Sequence, residues 1–319
     1  MRMKELKQKY INGSIEKKLY CQLMRDDFLH VLPEIQQVIK ENKDCLSIEI
    51  SKEGCILTKS DNCKLYFDFT QSICRAELDL ILENDPEKVE INYINNLLTQ
   101  LGGNGSILDI GANVGLFTLS FYQKNHNYTY HLFEPVPSTF KALEKTIALN
   151  NISIDSVKLY NIGMSNIAGS FDFYIPASNE AASLVANTDE FYRKRSDIWG
   201  TYTGNDEIDV VKCKVCKLDD FVEENKIDNI KFIKIDVEGN EKAVLEGAKN
   251  TICKYMPIIY AELLRKHAKR FNYHPNDVIE FMRQLKYKCY TIKNENLVKV
   301  DEINDETEET NFIFIMEDE

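Results

Sequence analysis

Long apolar runs are missing from this chain. No stretch approaches about 18 consecutive apolar residues, and the opening MRMKELKQKYINGSIEKK is charged without the apolar core of a leader. No membrane span and no export are expected. A basic excess is also missing: 51 acidic residues outnumber 39 basic ones, for a net charge of -12. Polyanions are repelled on average, and Lys and Arg never form a sustained run beside stacking aromatics, so nucleic acid is excluded as the expected partner. The nine cysteines are odd in number and lack the framework spacing of small secreted domains. Reduced thiols in a cytoplasmic protein fit better. Cys213 and Cys216 read CxxC, but no second pair or histidine follows at zinc spacing, and the two lie in an apparent strand over 208–215. There is a single tryptophan, Trp199, and no internal repeat.

What is present is an ordinary globular composition, 44% hydrophobic and 28% charged, over 319 residues, enough for one main domain with an extension. Helical spacing of Leu23, Phe28, Val31, Leu32, Ile35 and Val38 predicts a helical segment over 5–42, with Pro33 as a break or kink. Alternation predicts strands at 45–50 and 64–69. Residues 1–85 thus form an α+β extension, a cap or an oligomerisation element, and a homo-oligomer is one option.

From about residue 86 strands alternate with helices, the pattern of a doubly wound, mostly parallel α/β sheet. Strands are expected at 106–110, 128–133, 157–162, 230–235 and 257–261, with helices at 88–101, 114–124, 137–150, 241–249 and 276–285. Segments 288–292 and 311–315 would close the sheet as antiparallel strands. Strands at 170–175 and from 208 flank a polar insertion, 176–207, whose Tyr192, Arg193, Trp199 and Tyr202 suit a substrate-binding lid.

The strand Ser106-Ile-Leu-Asp109-Ile runs into Gly111-Ala-Asn113-Val-Gly115, a glycine turn that opens a helix. Small residues let the backbone bend and bring its amides close to a ligand. Dinucleotide loops read GxGxxG; here Asn113 stands at the second glycine position and would crowd a pyrophosphate. Asp109 could instead take the ammonium of a methionine moiety, and Glu134, ending the next strand before Pro135, could accept both hydroxyls of a ribose. That combination prefers S-adenosylmethionine (SAM) to a nicotinamide cofactor. Gly163, Met164, Ser165 and Asn166 are candidates for the adenine pocket, although Met164 could equally fill core.

A second motif, Lys234-Ile-Asp236-Val-Glu238-Gly239-Asn-Glu241, ends the strand at 230–235 with carboxylates facing the ligand crevice; Glu241 could simply favour a helix start. In LDIGANVGLF, FEP, CKLDDF, IKFIKIDVEGNEKAVLEGA and the later Pro257-x-x-x-x-Glu262, the chain resembles the FkbM family of SAM-dependent methyltransferases, over about residues 106–262. The resemblance implies a class I, Rossmann-like methyltransferase sheet and O-methylation of a sugar, glycan or natural-product hydroxyl. A nitrogen or carboxylate acceptor, or a non-catalytic SAM-binding subunit on the same fold, is the alternative.

An alkyl hydroxyl is a poor nucleophile, so a base or metal would help it displace a sulfonium. Asp236 and Glu262 are expected to converge on the acceptor as base, hydrogen-bond acceptors or ligands of a divalent ion such as Mg2+. Glu238 would contact substrate. His267 could be the base or merely a solvated loop histidine; His274, before Pro275, is the weaker candidate.

Overall fold

The computed structural model describes residues 3–68, 80, 88–175, 183–184 and 209–316. Its centre is an eight-stranded sheet. Strands β4 (Gly105–Ile110), β5 (Tyr128–Phe133), β6 (Val157–Tyr160), β10 (Ile230–Ile235) and β11 (Ile258–Glu262) run parallel. β12 (Tyr287–Lys293), β13 (Asn296–Lys299) and β14 (Asn311–Met316) complete it antiparallel. The order is β13-β12-β14-β11-β10-β4-β5-β6, so β14 inserts between β11 and β12, and the winding reverses at β4, between β5 and β10.

Alternation along the parallel strands separates two cores. Ile107 and Phe232 join one apolar cluster, whereas their neighbours Leu108 and Ile233 join another on the opposite face. The first face carries α3 (Lys88–Gln100), α4 (Leu116–Tyr122) and α5 (Pro137–Leu149); the second carries α6 (Leu218–Glu224), α7 (Glu241–Glu246), α8 (Lys249–Tyr255) and α10 (Pro275–Gln284). Helices on both faces are the doubly wound arrangement expected from sequence.

Several elements differ from expectation for local reasons. The helix expected at 241–249 ends at Glu246 and a second starts at Lys249; at the junction a Cβ on Gly247 would lie 2.1 Å from the Ser165 carbonyl oxygen, so only glycine fits there. The strand expected at 157–162 stops at Tyr160; β7 (Gly163–Met164) then leaves for a small sheet with β9 (Asp209–Cys216) and β8 (Gly169–Ile175), ordered β7-β9-β8. Cys213 is buried in β9 and Cys216 faces Met164 through sulfur, so the CxxC pair is strand packing.

The N-terminal segment comprises α1 (Met3–Ile11) and α2 (Lys17–Glu41), then a meander of β1 (Cys45–Ile50), β2 (Cys55–Lys59) and β3 (Lys64–Phe67). The helix continues through Pro33. The carbonyl that Pro33 leaves without its donor belongs to Leu29, which is 66% exposed and can be served by water. β3 docks on the end of α5: Asn150 exchanges two hydrogen bonds with the Lys64 backbone, and Thr146 Oγ1 accepts from the Tyr66 amide. Among the described residues, no helix is long and apolar enough to cross a membrane.

Candidate active site

The carboxyl ends of β4, β5 and β10 border an open cleft at the point where the winding reverses. Open α/β sheets bind ligands at such a point because the loops after neighbouring strands part there. Gly111, Asn113, Glu134, Pro135, Gly163, Met164, Asp236, Glu238 and Asn240 line it.

The glycine turn is shaped by close approach. Gly111 has φ +78, and a Cβ there would fall 1.8 Å from the Asp236 carbonyl oxygen, so only glycine lets the β4 and β10 loops meet. Asn113 adopts φ 50, a left-handed conformation asparagine tolerates, and its amide donates to Glu134 Oε2 at 3.1 Å. Glu134 Oε1 accepts from the Val136 amide at 2.9 Å. Burial pushes this carboxyl up to about 7, against the pull of the two amides. Gly115 starts α4 with φ 89 and packs toward Leu143, outside the cleft lining. Met164 lines the cleft and also belongs to a core cluster; Ser165 is buried beside it and engages Cys216 and Asn240 through hydrogen bonds. Asn166 turns away to Glu246.

Asp109 does not reach the cleft. It is fully buried behind the wall, where Oδ2 accepts from Thr118 Oγ1 at 2.7 Å and Oδ1 lies 3.5 Å from Lys234 Nζ. Lys234 also donates to the Gly111 carbonyl at 2.9 Å and lies 3.2 Å from Asp236 Oδ2. The ammonium expected opposite Asp109 is therefore this internal lysine. Its signal was legible: Lys234 is the inner of two lysines in the apolar run Ile230–Ile235, two residues before Asp236.

Glu241 is buried and accepts from the amides of Val237 and Gly239 and from Tyr273 Oη, so it clamps the turn that presents Glu238. Glu238 itself has φ 58. Gly239, at φ +107, brings that turn against α9 (Arg265–Arg270): a Cβ would meet the His267 carbonyl oxygen at 2.8 Å. As a result Glu238 Oε2 lies 3.0 Å from His267 Nδ1, without hydrogen-bond directionality. His267 is not a solvated loop residue: it is 5% exposed. Burial, with Arg270 and Lys266 nearby, lowers it to about 4; burial, with Asp236 nearby, holds Glu238 well above the usual carboxylate range. Both shifts favour the uncharged form.

Glu262, expected to act with Asp236, gathers with Glu238 and His267. Among the described residues, ligand atoms of Glu238, Glu262 and His267 lie within 4.8 Å of one another, whereas Asp236 turns to Lys234. That group mixes nitrogen and oxygen donors, unlike the oxygen-only pair proposed for Mg2+. His274 caps α10, accepting from the Asn276 amide while Asp277 accepts from the His274 amide. Tyr192, Arg193, Trp199 and Tyr202 lie outside the described residues. Of that insertion, Leu184 lines the cleft and Ser183 bridges β8 and the Glu238 carbonyl. Asn240 and Leu184 were missed from sequence, having no distinguishing residue type there.

Methyltransferase sdnD of Sordaria araneosa is 30% identical over 166 residues, covering 47% of this chain and 62% of that protein. The 31-O-demethyl-FK506 methyltransferase FkbM of Streptomyces tacrolimicus is 28% identical over 163 residues, 45% of this chain and 59% of that protein. The chain therefore spans less than two thirds of the length of these relatives. A crystal structure of methyltransferase FkbM from Methylobacillus flagellatus KT superposes with a TM-score of 0.41 at 13% identity, over 66% of this chain and 44% of that one. The family model for the methyltransferase FkbM domain matches residues 109–289, more than half of the sequence and the whole of the cleft's β4, β5 and β10 walls from Asp109 onward, and the chain belongs to that family.

Proposed function

We propose that this chain is a SAM-dependent methyltransferase acting on a hydroxyl of a sugar, glycan or small natural product. The observation that carries the reading is the adjacency of two unlike sites on one sheet edge: a cleft floored by the Gly111 turn and Glu134, and beside it the Glu238, Glu262 and His267 group. Family relatives carry O-methylation in their names, among them 2-O-methyltransferase NoeI of Sinorhizobium fredii, 26% identical over 156 residues.

The cleft residues fit the cofactor. Glu134 offers two carboxylate oxygens for ribose hydroxyls, the turn at Gly111 admits no side chain, and Met164 supplies an apolar wall for the base. Asp236, which lines the cleft, takes the role of ammonium partner first given to Asp109. When bound, SAM supplies a methyl group on a sulfonium, open to in-line displacement. A hydroxyl accepting that methyl would have to give up its proton to a group of this chain. Glu238, which lines the cleft with His267 Nδ1 3.0 Å behind it, is the group placed to accept that proton when ionised, its raised affinity making it the stronger base of the two. Glu262 orients the hydroxyl.

Glu134→Gln should weaken S-adenosylhomocysteine (SAH) binding about tenfold to a hundredfold by calorimetry. His267→Ala should lower turnover about 10²-fold or more in a labelled-methyl assay over sugars and hydroxylated natural products, with SAH affinity kept. Wild-type protein that fails to bind SAH would overturn the reading.

A further inference from the structure

Two ligand-type atoms meet beside the cleft in a way that hydrogen bonding does not explain. His267, on α9, is 5% exposed, and neither ring nitrogen has a hydrogen-bond partner. Glu238 Oε2 is likewise buried without one, although it lies 3.0 Å from His267 Nδ1. A hydrogen bond at that distance would align the N–H with the oxygen, and this pair is not so aligned. Two ligands of one metal ion behave differently. On the edge of an octahedron with bonds of about 2.1 Å the donor atoms lie about 3.0 Å apart, and each lone pair points at the ion, about 45° away from its neighbour. The short, misdirected contact has that form.

Glu262, at the end of β11, completes the set: one ligand atom from each of the three residues lies within 4.8 Å of the other two. The fold holds the parts in place. Glu241 clamps the turn that carries Glu238, and Gly239 brings that turn against the His267 carbonyl. Two carboxylates balance the charge of a dication, and Asp236 is already answered by Lys234. Arg270, whose charge is felt at Glu238, opposes a cation and tempers its affinity. An imidazole suits zinc and iron and carboxylates suit manganese, so the mixed set favours such ions over Mg2+.

We propose that Glu238, Glu262 and His267 bind a divalent first-row transition-metal ion at the rim of the cleft. Three protein ligands leave coordination positions open. Glu238 lines the cleft, with Oε2 buried and its side chain 20% exposed, so the ion adjoins the space where a substrate would lie. A hydroxyl reaching the ion would lose its proton more readily. That role rests on the methyltransferase reading; the ion site does not.

The test uses Mn2+, Zn2+ and Mg2+ alone as probes on the full chain, stripped with EDTA and exchanged into buffer free of chelator and nitrogen. Loss of the free-ion signal in electron paramagnetic resonance should show one Mn2+ bound per chain, with Mg2+ competing roughly tenfold more weakly or worse. Nitrogen modulation in the spin echo of the bound Mn2+ should report the imidazole, a readout on wild type that stands even where a variant does not fold. Glu262→Gln and His267→Ala should each weaken Mn2+ binding roughly tenfold or more, with SAH binding kept by calorimetry. An acidic chain can also take Mn2+ at its surface. Binding that both variants keep, or that shows no nitrogen modulation, therefore overturns the proposal. So does wild type that binds neither Mn2+ nor Zn2+, or that binds Mg2+ as tightly as Mn2+. SAH binding without metal binding refutes the ion site alone; metal binding without SAH binding refutes the methyltransferase reading alone.

Discussion

At the scale of single residues, Lys234 carries more than its position in a strand suggests. It is 7% exposed and neutralises two carboxylates, one of which, Asp109, is fully buried. A buried carboxylate deprived of its cation is far costlier than the pair is favourable. Lys234→Met should therefore lower unfolding free energy by about 3–5 kcal/mol, read from urea denaturation. Adding Asp109→Asn should recover a large part, because Thr118 can still donate to an amide oxygen. Equal losses in the single and double variants would show that the charges are not coupled. Residue types at strand ends were legible: Glu134, Asp236, Glu238 and Glu262 all fall at carboxyl edges of the sheet, as spacing implied. Which of them face the cleft was not. Asp109 and Asp236 look equivalent in sequence; Lys234 pairs with Asp236 locally, two residues on, but its contact with Asp109 crosses to the neighbouring strand, which no local pattern encodes.

At the scale of elements, the turn between β10 and α7 joins the cofactor side to the proton-handling side. Gly239 sits at φ +107 with the α9 backbone where its Cβ would be. Gly239→Ala meets both a conformational penalty and a contact that only backbone movement can relieve, costing about 1–3 kcal/mol. The movement separates Glu238 from His267, so turnover in the labelled-methyl assay should fall by a larger factor than SAH affinity by calorimetry. Equal losses would mean that the turn serves the cofactor alone.

Periodicity found the parallel strands because their alternate residues feed two different cores. It missed β2, whose Cys55-Ile-Leu start is a short apolar run without alternation. It also ran α7 on to Lys249 and missed α8, since the close approach of the Ser165 carbonyl to Gly247 leaves no local sequence signal. Pro33 was overweighted: on a solvated helix the lost hydrogen bond has water as a substitute.

At the scale of the whole molecule, the buried carboxyls set how stability responds to pH. Burial raises Glu134 to about 7, Glu241 to about 7, and Glu238 as well. Each keeps its proton in the folded state where the unfolded chain has lost it. Their contribution is complete below the ordinary value of 4.5 and disappears as pH rises through the folded values. Two histidines act in the opposite sense. His131 and His267 are lowered from 6.5 to about 4 by burial, so folding gains as pH rises toward 6.5 and no further. Between about 4.5 and 6.5 the two sets largely offset each other. Above 6.5 the histidines no longer respond, and only the carboxyls do. The excess of acidic residues adds growing self-repulsion in the same direction. Three carboxyls lose against two histidines that gain, so ligand-free protein should be near its most stable around pH 4.5–5.5 and lose stability toward pH 8, measured by denaturant midpoints at half-unit steps. Glu134→Gln should flatten that decline, because an amide does not titrate. A midpoint that climbs between pH 6.5 and 8 would mean these carboxyls are ionised in the folded chain, and the neutral Glu238 and His267 pair would fall with them.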